Sequence, residues 1–170
     1  TIPNSVTSIG GFAFEGCTSL ASVILGNGLT IIGSGSDYWN TFANCTSLKS
    51  IEISNGMEYV SNYTFAGCTS LSTVVMPDSV TELGAGVFYN CDSLTTLPLG
   101  KNINEISAAA FEDCDGLIDI VIPDNVTYIN EKAFYSCDAL NTLVVGKGVT
   151  YIRENAFDEC NNLKSADFAV

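Results

Sequence analysis

The chain has 170 residues, of which 46% are hydrophobic, so it is long enough and apolar enough to form one folded domain. Its 19 acidic and 6 basic residues give a net charge of −13, which argues against nucleic acid or an anionic lipid surface as a partner, because both are bound through cationic side chains. The chain has no histidine, the most common acid–base catalyst, and no apolar run of the ~20 residues that a membrane-spanning helix needs.

A tandem repeat organises the whole sequence. The seven cysteines are separated by 28 residues once and then by 23 residues five times, and each has a Phe three residues before it and a Leu three residues after it. A fixed period of this length is typical of a solenoid, in which each unit is one coil. Positions within a coil are given below relative to its cysteine. Coils 1 to 7 are numbered by their cysteines, which are Cys17, Cys45, Cys68, Cys91, Cys114, Cys137 and Cys160.

Two extended segments are predicted in each coil. Apolar residues recur at positions +6 and +8, and this spacing of two predicts a short strand with both side chains facing inward. A turn rich in Gly or Pro follows, as in residues 26–28 and 77–79. After the turn, apolar pairs three residues apart, such as Val126 and Ile129 with Thr127 between them, predict a second and shorter extended segment.

The stretch that leads to each cysteine is predicted to form about one turn of helix. In coil 6 it is residues 131–136, where Ala133 and Phe134 are adjacent and have polar neighbours. Such a helix is too short to be stable alone. Because the inward side chains of one coil are covered only by its neighbours, we expect the coils to stack in register with equivalent strands paired in parallel.

A unit such as residues 122–140 resembles the BspA-type leucine-rich repeat, which has the 23-residue pattern Pro-x-x-Val-x-x-Ile-x-x-x-Ala-Phe-x-x-Cys-x-x-Leu-x-x-Leu-x-Leu. Seven successive units carry the pattern, with departures at Thr41 and Thr64, where Ala is usual. The resemblance implies an α/β fold: a right-handed leucine-rich-repeat solenoid with a parallel sheet on one face and short helical turns on the other. We expect residues 1–170 to form a single domain with an insertion within residues 33–40, and to be a segment of a longer protein.

The resemblance also implies a function. Members of this family are mostly secreted or surface-anchored proteins of host-associated bacteria and some parasitic protists; they resemble adhesins, and the repeat has no characteristic catalytic residue. We therefore expect a non-enzymatic, secreted or cell-surface module that binds a protein or glycan and needs no cofactor. The alternative is a passive spacer array without its own ligand. The net charge favours a basic or neutral partner.

The outward positions +5 and +7 of the first strand are the main candidate binding residues. Position +7 is apolar in five of the seven coils, and a mostly hydroxyl column lies beside it at +5. An exposed apolar stripe is typical of a contact face, although ordinary strand propensity produces the same pattern. The candidates are Ser22, Ile24, Glu52, Thr73, Val75, Thr96, Val121, Thr142 and Val144.

The insertion is a second candidate. It contains Asp37, Tyr38 and Trp39, the only tryptophan of the chain. Functional loops are often insertions on a rigid scaffold, and Trp is a favoured contact anchor. The alternative is a tolerated insertion whose Trp folds back on the surface of the coil.

Two further columns have a structural and a chemical interpretation. The cysteines are predicted to be buried free thiols, because parallel side chains on stacked coils lack disulfide geometry. Position +1 places Asp92, Asp115 and Asp138 in one column, which could hold a calcium ion. We favour a turn cap, in which each +1 side chain accepts a hydrogen bond from the backbone N–H two residues on, and predict no metal site.

Overall fold

The computed structural model describes residues 1–34, 39–96 and 99–169, and within them the chain forms short strands joined by turns. One set of strands follows the cysteines: β3 (Ser50–Glu52), β5 (Thr73–Val75), β8 (Asp119–Ile122), β10 (Thr142–Val145) and β12 (Ser165–Phe168). The other set precedes the cysteines: β1 (Ser8–Gly10), β2 (Ile31–Ser34), β4 (Tyr59–Val60), β6 (Glu82–Leu83), β7 (Glu105–Ile106), β9 (Tyr128–Ile129) and β11 (Tyr151–Ile152). Both predicted extended segments are thus present.

The strand register shows how the coils stack. Strands β8 and β10 are parallel and pair Asp119 with Thr142, and β9 and β11 pair Tyr128 with Tyr151, so each residue meets its equivalent in the next coil. Strands β1 and β2 pair Ser8 with Ile31 in the same way, with a register shift at Gly10. The insertion therefore follows the start of β2; residues 35–38 lie outside the described part of the chain.

The predicted inward columns form one continuous core. Seven phenylalanine rings, one from each coil, stack with centroids 5.1 to 5.8 Å apart and with neighbouring planes at most 12° from parallel. The Leu at position +3 is fully or almost fully buried in coils 2 to 6. Each ring covers the next, so the burial that drives folding depends on contacts between coils.

The cysteines extend this core. Cys45, Cys68, Cys91, Cys114 and Cys137 are completely buried, whereas Cys17 is exposed and Cys160 is half-buried because each lies in an outer coil. All seven thiols are free. In coils 2 to 7 each Sγ donates to the backbone carbonyl of the phenylalanine one coil back, at 3.0 to 3.2 Å.

The prediction of short helical turns is wrong for the described residues, which contain no helix. The segments before the cysteines are successive turns with positive φ at positions −5 and −1, for example 54° at Ala109 and 57° at Asp113. A residue with positive φ does not fit a right-handed helix. The backbone instead bonds between coils: the Phe88 N–H donates to the Ala110 carbonyl at 2.9 Å, and the Asn90 N–H to the Glu112 carbonyl at 2.8 Å.

The predicted strand after each cysteine is also not present everywhere. The described strands of this set form two separate sheets, β3–β5 and β12–β10–β8, and residues 97–98 of the intervening coil lie outside the described part. In coil 1, residues 22–25 form no strand, and within the described ranges no backbone hydrogen bond joins them to residues 50–53 of coil 2. Coil 2 is five residues longer than the others, so the two coils differ in length at this junction.

The turns that follow these strands are of two kinds. Turns that begin with proline occur at Pro3, Pro77 and Pro123, and the next coil in each case has a turn that begins with glycine, at Gly26, Gly100 and Gly146. A Cβ atom on Gly146 would lie 2.6 Å from the Pro123 carbonyl carbon, and one on Gly148 would lie 1.9 Å from the Asp124 carbonyl oxygen. The glycines therefore allow one turn to rest directly on the other.

Candidate functional site

The predicted binding residues lie on one surface, which we call the sheet face and define as positions +5 and +7. Ser22, Glu52, Thr73 and Thr96 are exposed and Thr142 is half-buried. The apolar side chains at +7 are exposed to different degrees: Ile24 at 64%, Val75 at 49%, Val121 at 67% and Val144 at 37%. Their outward orientation, predicted from strand alternation, is confirmed, whereas a role in binding stays a prediction.

The register places several of these side chains side by side. Val121 on β8 pairs with Val144 on β10, and Val144 pairs with Asp167 on β12. Thr142 donates a hydrogen bond from Oγ1 to Asp119 Oδ1 on the neighbouring strand. The sheet face at coils 5 to 7 is therefore an apolar pair bordered by hydroxyl and carboxylate groups.

A cleft opens on the sheet face between coils 1 and 2. It has a volume of about 390 Å³, and its lining includes Ser22, Ile24, Ser50 and Glu52. It lies where residues 22–25 and 50–53 do not pair. Candidate residues from two coils thus share one concave surface with both apolar and hydrogen-bonding groups.

The insertion is only partly described. Trp39 is half-buried and packs on Gly33, where an added Cβ would lie 2.9 Å from both Trp39 Cβ and Trp39 Cε3. Thr41 Oγ1 donates to the Trp39 carbonyl at 2.8 Å, which holds the end of the insertion against coil 2. Asp37 and Tyr38 lie outside the described residues. The packing of Trp39 agrees with an indole folded back on the coil, and a contact role stays a prediction.

The acidic column at position +1 has no cap of the predicted kind. In all seven coils the backbone N–H at position +3 donates to the cysteine carbonyl at 2.8 to 3.1 Å, so the predicted bond to the +1 side chain is wrong. Asp138 Oδ1 instead accepts from Asn161 Nδ2 one coil away, at 3.3 Å. Burial, together with the charges of Asp115 and Asp113, raises the pKa of Asp92. Over the described ranges, no group of three or more Cys, Asp or Glu side chains is placed to hold a metal ion.

A second concave surface lies on the segments before the cysteines, positions −6 to −1, which we call the turn face. Its pocket spans coils 2 to 4 and has a volume of about 390 Å³. Tyr63, Tyr89, Asn44 and Asn90 are among its lining residues. This pocket was not predicted from the sequence. The sequence does contain a signal for it, since coils 2 and 3 have small residues next to asparagine and tyrosine side chains.

The repeat geometry agrees with comparisons to known proteins. The family model for the BspA-type leucine-rich repeat region matches residues 1–38 and 36–164, with six copies. The chain belongs to the BspA-type leucine-rich repeat family. Among curated proteins, none matches this leucine-rich repeat chain.

Solved structures of bacterial leucine-rich repeat proteins have the same fold. A leucine-rich cell surface protein from Faecalibacterium prausnitzii matches with a TM-score of 0.74 and 28% identity, over 100% of this chain and 53% of that protein. The Treponema pallidum leucine-rich repeat protein matches with a TM-score of 0.82 and 29% identity, over 94% of this chain and 72% of its own. A Bacteroides ovatus leucine-rich repeat protein matches with a TM-score of 0.59 and 25% identity, over 96% of this chain and 58% of that protein.

These matches also show how the length of the chain compares with that of a relative. It spans about half the length of the Faecalibacterium protein. In the ranges that the structure describes, no helix has the length and apolarity to cross a membrane.

Proposed function

We propose that the chain is a non-enzymatic recognition module, secreted or displayed at a cell surface, that binds a protein or glycan through its sheet face. One observation carries the proposal: large apolar side chains at position +7 are exposed, at Ile24, Val75 and Val121. Exposed apolar side chains that lie on a common rigid surface are typical of interaction sites. The family and the cell-surface relative support the location.

The chemistry of the sheet face favours contact by burial together with hydrogen bonds. The Val121–Val144 pair offers apolar area, while Thr142 and Asp119 next to it offer hydroxyl and carboxylate groups. This combination is typical of a contact surface with an apolar centre and a polar rim. The net charge of −13 makes a basic or neutral ligand surface the better match.

Binding to immobilised extracellular-matrix proteins and mucin glycans, measured by surface plasmon resonance, tests the proposal. We expect Ile24→Glu or Val121→Glu to weaken binding of the recovered ligand at least tenfold, because each places a charge in a contact that is otherwise desolvated. Position +7 already carries Glu52 and Asp167 in other coils, so an acidic side chain is compatible with the fold.

Ile31→Glu is the matched control. Ile31 is 49% exposed on β2, and the equivalent residues on β6 and β7 are Glu82 and Glu105. We expect this variant to bind as the parent does. Equal binding by the parent and both sheet-face variants would contradict the assignment of the sheet face.

A spacer array is the second candidate, and the interruption of the apolar stripe favours it. Glu52 and Asp167 occupy position +7 beside Val75 and Val144. A spacer would bind no member of the panel, and its sheet-face variants would fold and behave as the parent does.

A further inference from the structure

We propose that the turn face carries a second binding site, a pocket over coils 2 to 4 that takes the ring of a neutral saccharide. The pocket has a volume of about 390 Å³ and is lined by residues of three successive coils. It uses none of the sheet-face residues, so it does not rest on the function proposed above.

The hollow exists because small residues occupy its floor. At position −2 the chain has Ala43 and Ala66 in coils 2 and 3, and Gly67 follows at −1. Coils 4 to 7 have large or acidic side chains at −2. These are Tyr89, Glu112, Tyr135 and Asp158. The missing side-chain volume in coils 2 and 3 therefore leaves a depression beside Tyr89.

Two tyrosines form aromatic walls. Tyr63 is 36% exposed, and its ring lies over Gly86, where an added Cβ would come within 2.2 Å of Tyr63 Cε1. The absence of a side chain at Gly86 thus allows the Tyr63 ring to lie there. Tyr89 is half-buried, and the Asp113 carboxylate next to its hydroxyl raises its pKa. Partly exposed aromatic rings that are held in place can pack against the C–H face of a sugar ring.

Two asparagines supply the polar groups. Asn44 and Asn90 line the pocket on either side of Gly67, with φ of 59° and 54°. Asn44 Oδ1 lies over Gly67, where a Cβ would meet it at 2.3 Å. An amide both donates and accepts, which matches sugar hydroxyl groups that do the same.

The surrounding charge selects neutral ligands. The lining residues of the pocket include no Lys or Arg, while Asp92 lies in coil 4 and Glu112 and Asp113 lie in the adjoining coil 5. Burial, followed by the charges of Asp115 and Asp113, raises the pKa of Asp92. The charged groups on this side of the pocket are therefore mainly carboxylates. An acidic sugar would bring a second negative charge into this field, which is unfavourable.

Titration of the isotope-labelled protein, followed by two-dimensional NMR, tests the proposal. The probes are glucose, galactose, mannose and N-acetylglucosamine, with glucuronic acid and N-acetylneuraminic acid as acidic counterparts. We expect saturable shifts of the Asn44 and Asn90 side-chain amides and of the Gly67 amide with at least one neutral sugar. Weaker binding is expected for both acidic sugars.

Ala66→Tyr fills the pocket with a residue that the same position holds in coils 4 and 6, so the fold is expected to tolerate it. It should weaken binding of the neutral sugar at least tenfold, whereas Asp158→Tyr at the equivalent position of coil 7 should leave binding unchanged.

Tyr89→Phe should retain sugar binding and Tyr89→Ala should lose it, because the aromatic ring supplies the contact. Asn90→Asp should weaken sugar binding, because Asp lacks the N–H donor of the amide. Asp113 has a similar φ at the equivalent position of coil 5, so Asp fits this backbone conformation.

Three results would overturn the proposal. They are the absence of a saturable shift with every neutral sugar, tighter binding of an acidic sugar, and shifts that Ala66→Tyr does not alter. Ile24→Glu and Val121→Glu are expected to leave the sugar shifts unchanged, which separates this pocket from the sheet face.

Discussion

The cysteines of the inner coils combine two properties that few side chains share. Each fills a small volume in the apolar interior, and its S–H group donates to a phenylalanine carbonyl of the previous coil, as Cys114 does to Phe88 at 3.0 Å. Alanine would fill less of the space and donate nothing, and serine would place a more polar hydroxyl in the core. Burial and donation together account for the cysteine at this position in coils 2 to 6, whereas Cys17 is exposed.

The buried thiols predict a loss of stability at alkaline pH. Burial raises the pKa of Cys68 and of Cys114 from 9.0 to about 12. In the unfolded chain these thiols ionise near pH 9, so between the two values the unfolded state binds fewer protons and the free energy of unfolding falls as pH rises. The stabilisation is complete below pH 9, and each thiol contributes at most about 1.4 kcal/mol per pH unit to the decline.

Urea unfolding from about pH 8 to pH 11 measures this decline, since linear extrapolation gives the free energy at each pH. The control is the double variant Cys68→Ala and Cys114→Ala, which should be less stable at pH 8 and should decline less steeply. Parallel curves for the parent and the double variant would contradict the assignment to these thiols.

At the scale of the element, the turn segments show where sequence reasoning was wrong. Adjacent Ala and Phe with polar neighbours predicted a helix, but two residues with positive φ in six of the seven turn segments, and one in coil 2, prevent it. A signal was present at position −1, where Gly16, Asn44, Gly67 and Asn90 are types that tolerate this conformation. The signal is weaker at −5, where Gly86 and Asn155 fit this conformation but Phe12, Ala109 and Lys132 also have positive φ. Such residues do not favour that conformation, so the bonds between coils must impose it.

The inward side chains could be predicted because each coil repeats them. Phe88, Cys91 and Leu94 are all completely buried, as their columns indicated. The pairing of strands is harder to predict, because it depends on whether two neighbouring coils have the same length and register. The 28-residue spacing marks the junction where residues 22–25 remain without a strand partner in coil 2.

The stacked turns make one glycine much more sensitive than another. Gly148→Ala would place a Cβ 1.9 Å from the Asp124 carbonyl oxygen, so we expect the free energy of unfolding to fall by about 1–3 kcal/mol or more. A thermal or urea unfolding curve measures the change.

Gly56→Ala is the comparison for this turn. Its Cβ would have its nearest contact at 3.3 Å, from the Leu29 carbonyl oxygen. A small shift of the neighbour is enough, and the loss of freedom in the unfolded chain offsets part of the cost. Equal effects of the two substitutions would show that the coils do not press on each other at Gly148.

At the scale of the whole molecule, net charge opposes the compact state. The chain has only six basic residues and 19 acidic ones. Over the described ranges the ion pairs are three, Lys101–Asp78 at 3.2 Å, Lys147–Asp124 at 3.8 Å and Lys132–Glu112 at 4.0 Å. The first two of these are largely exposed and contribute little stability. Repulsion among the remaining carboxylates is therefore the larger electrostatic effect.

We accordingly expect the melting temperature to rise when sodium chloride is increased from about 0.01 M to 0.15 M, because the screening length shortens from about 30 Å to about 8 Å. For a chain of this size, each kcal/mol corresponds to a rise of about 2–4 °C. Differential scanning calorimetry measures it. A melting temperature that falls with salt would show that the ion pairs outweigh the repulsion.

The two candidate sites differ in how far the sequence reveals them. Alternation within one strand is enough to place Val121 and Val144 on the outside. The turn-face pocket needs three positions compared across three coils, since Ala66 and Gly67 create space only beside Tyr63 and Tyr89. A column considered alone shows which side chains point inward and does not show where neighbouring columns leave a gap.

The alternation of turns also limits how the molecule can be lengthened or shortened. From Pro77 onward a proline turn and a glycine turn follow each other in successive coils, and Gly146 fits against Pro123 as Gly26 fits against Pro3. Excision of one coil would bring two turns of the same kind together, whereas excision of an adjacent pair would restore the original neighbours. Along this edge, only a change of length by an even number of coils preserves the alternation from Pro77 onward.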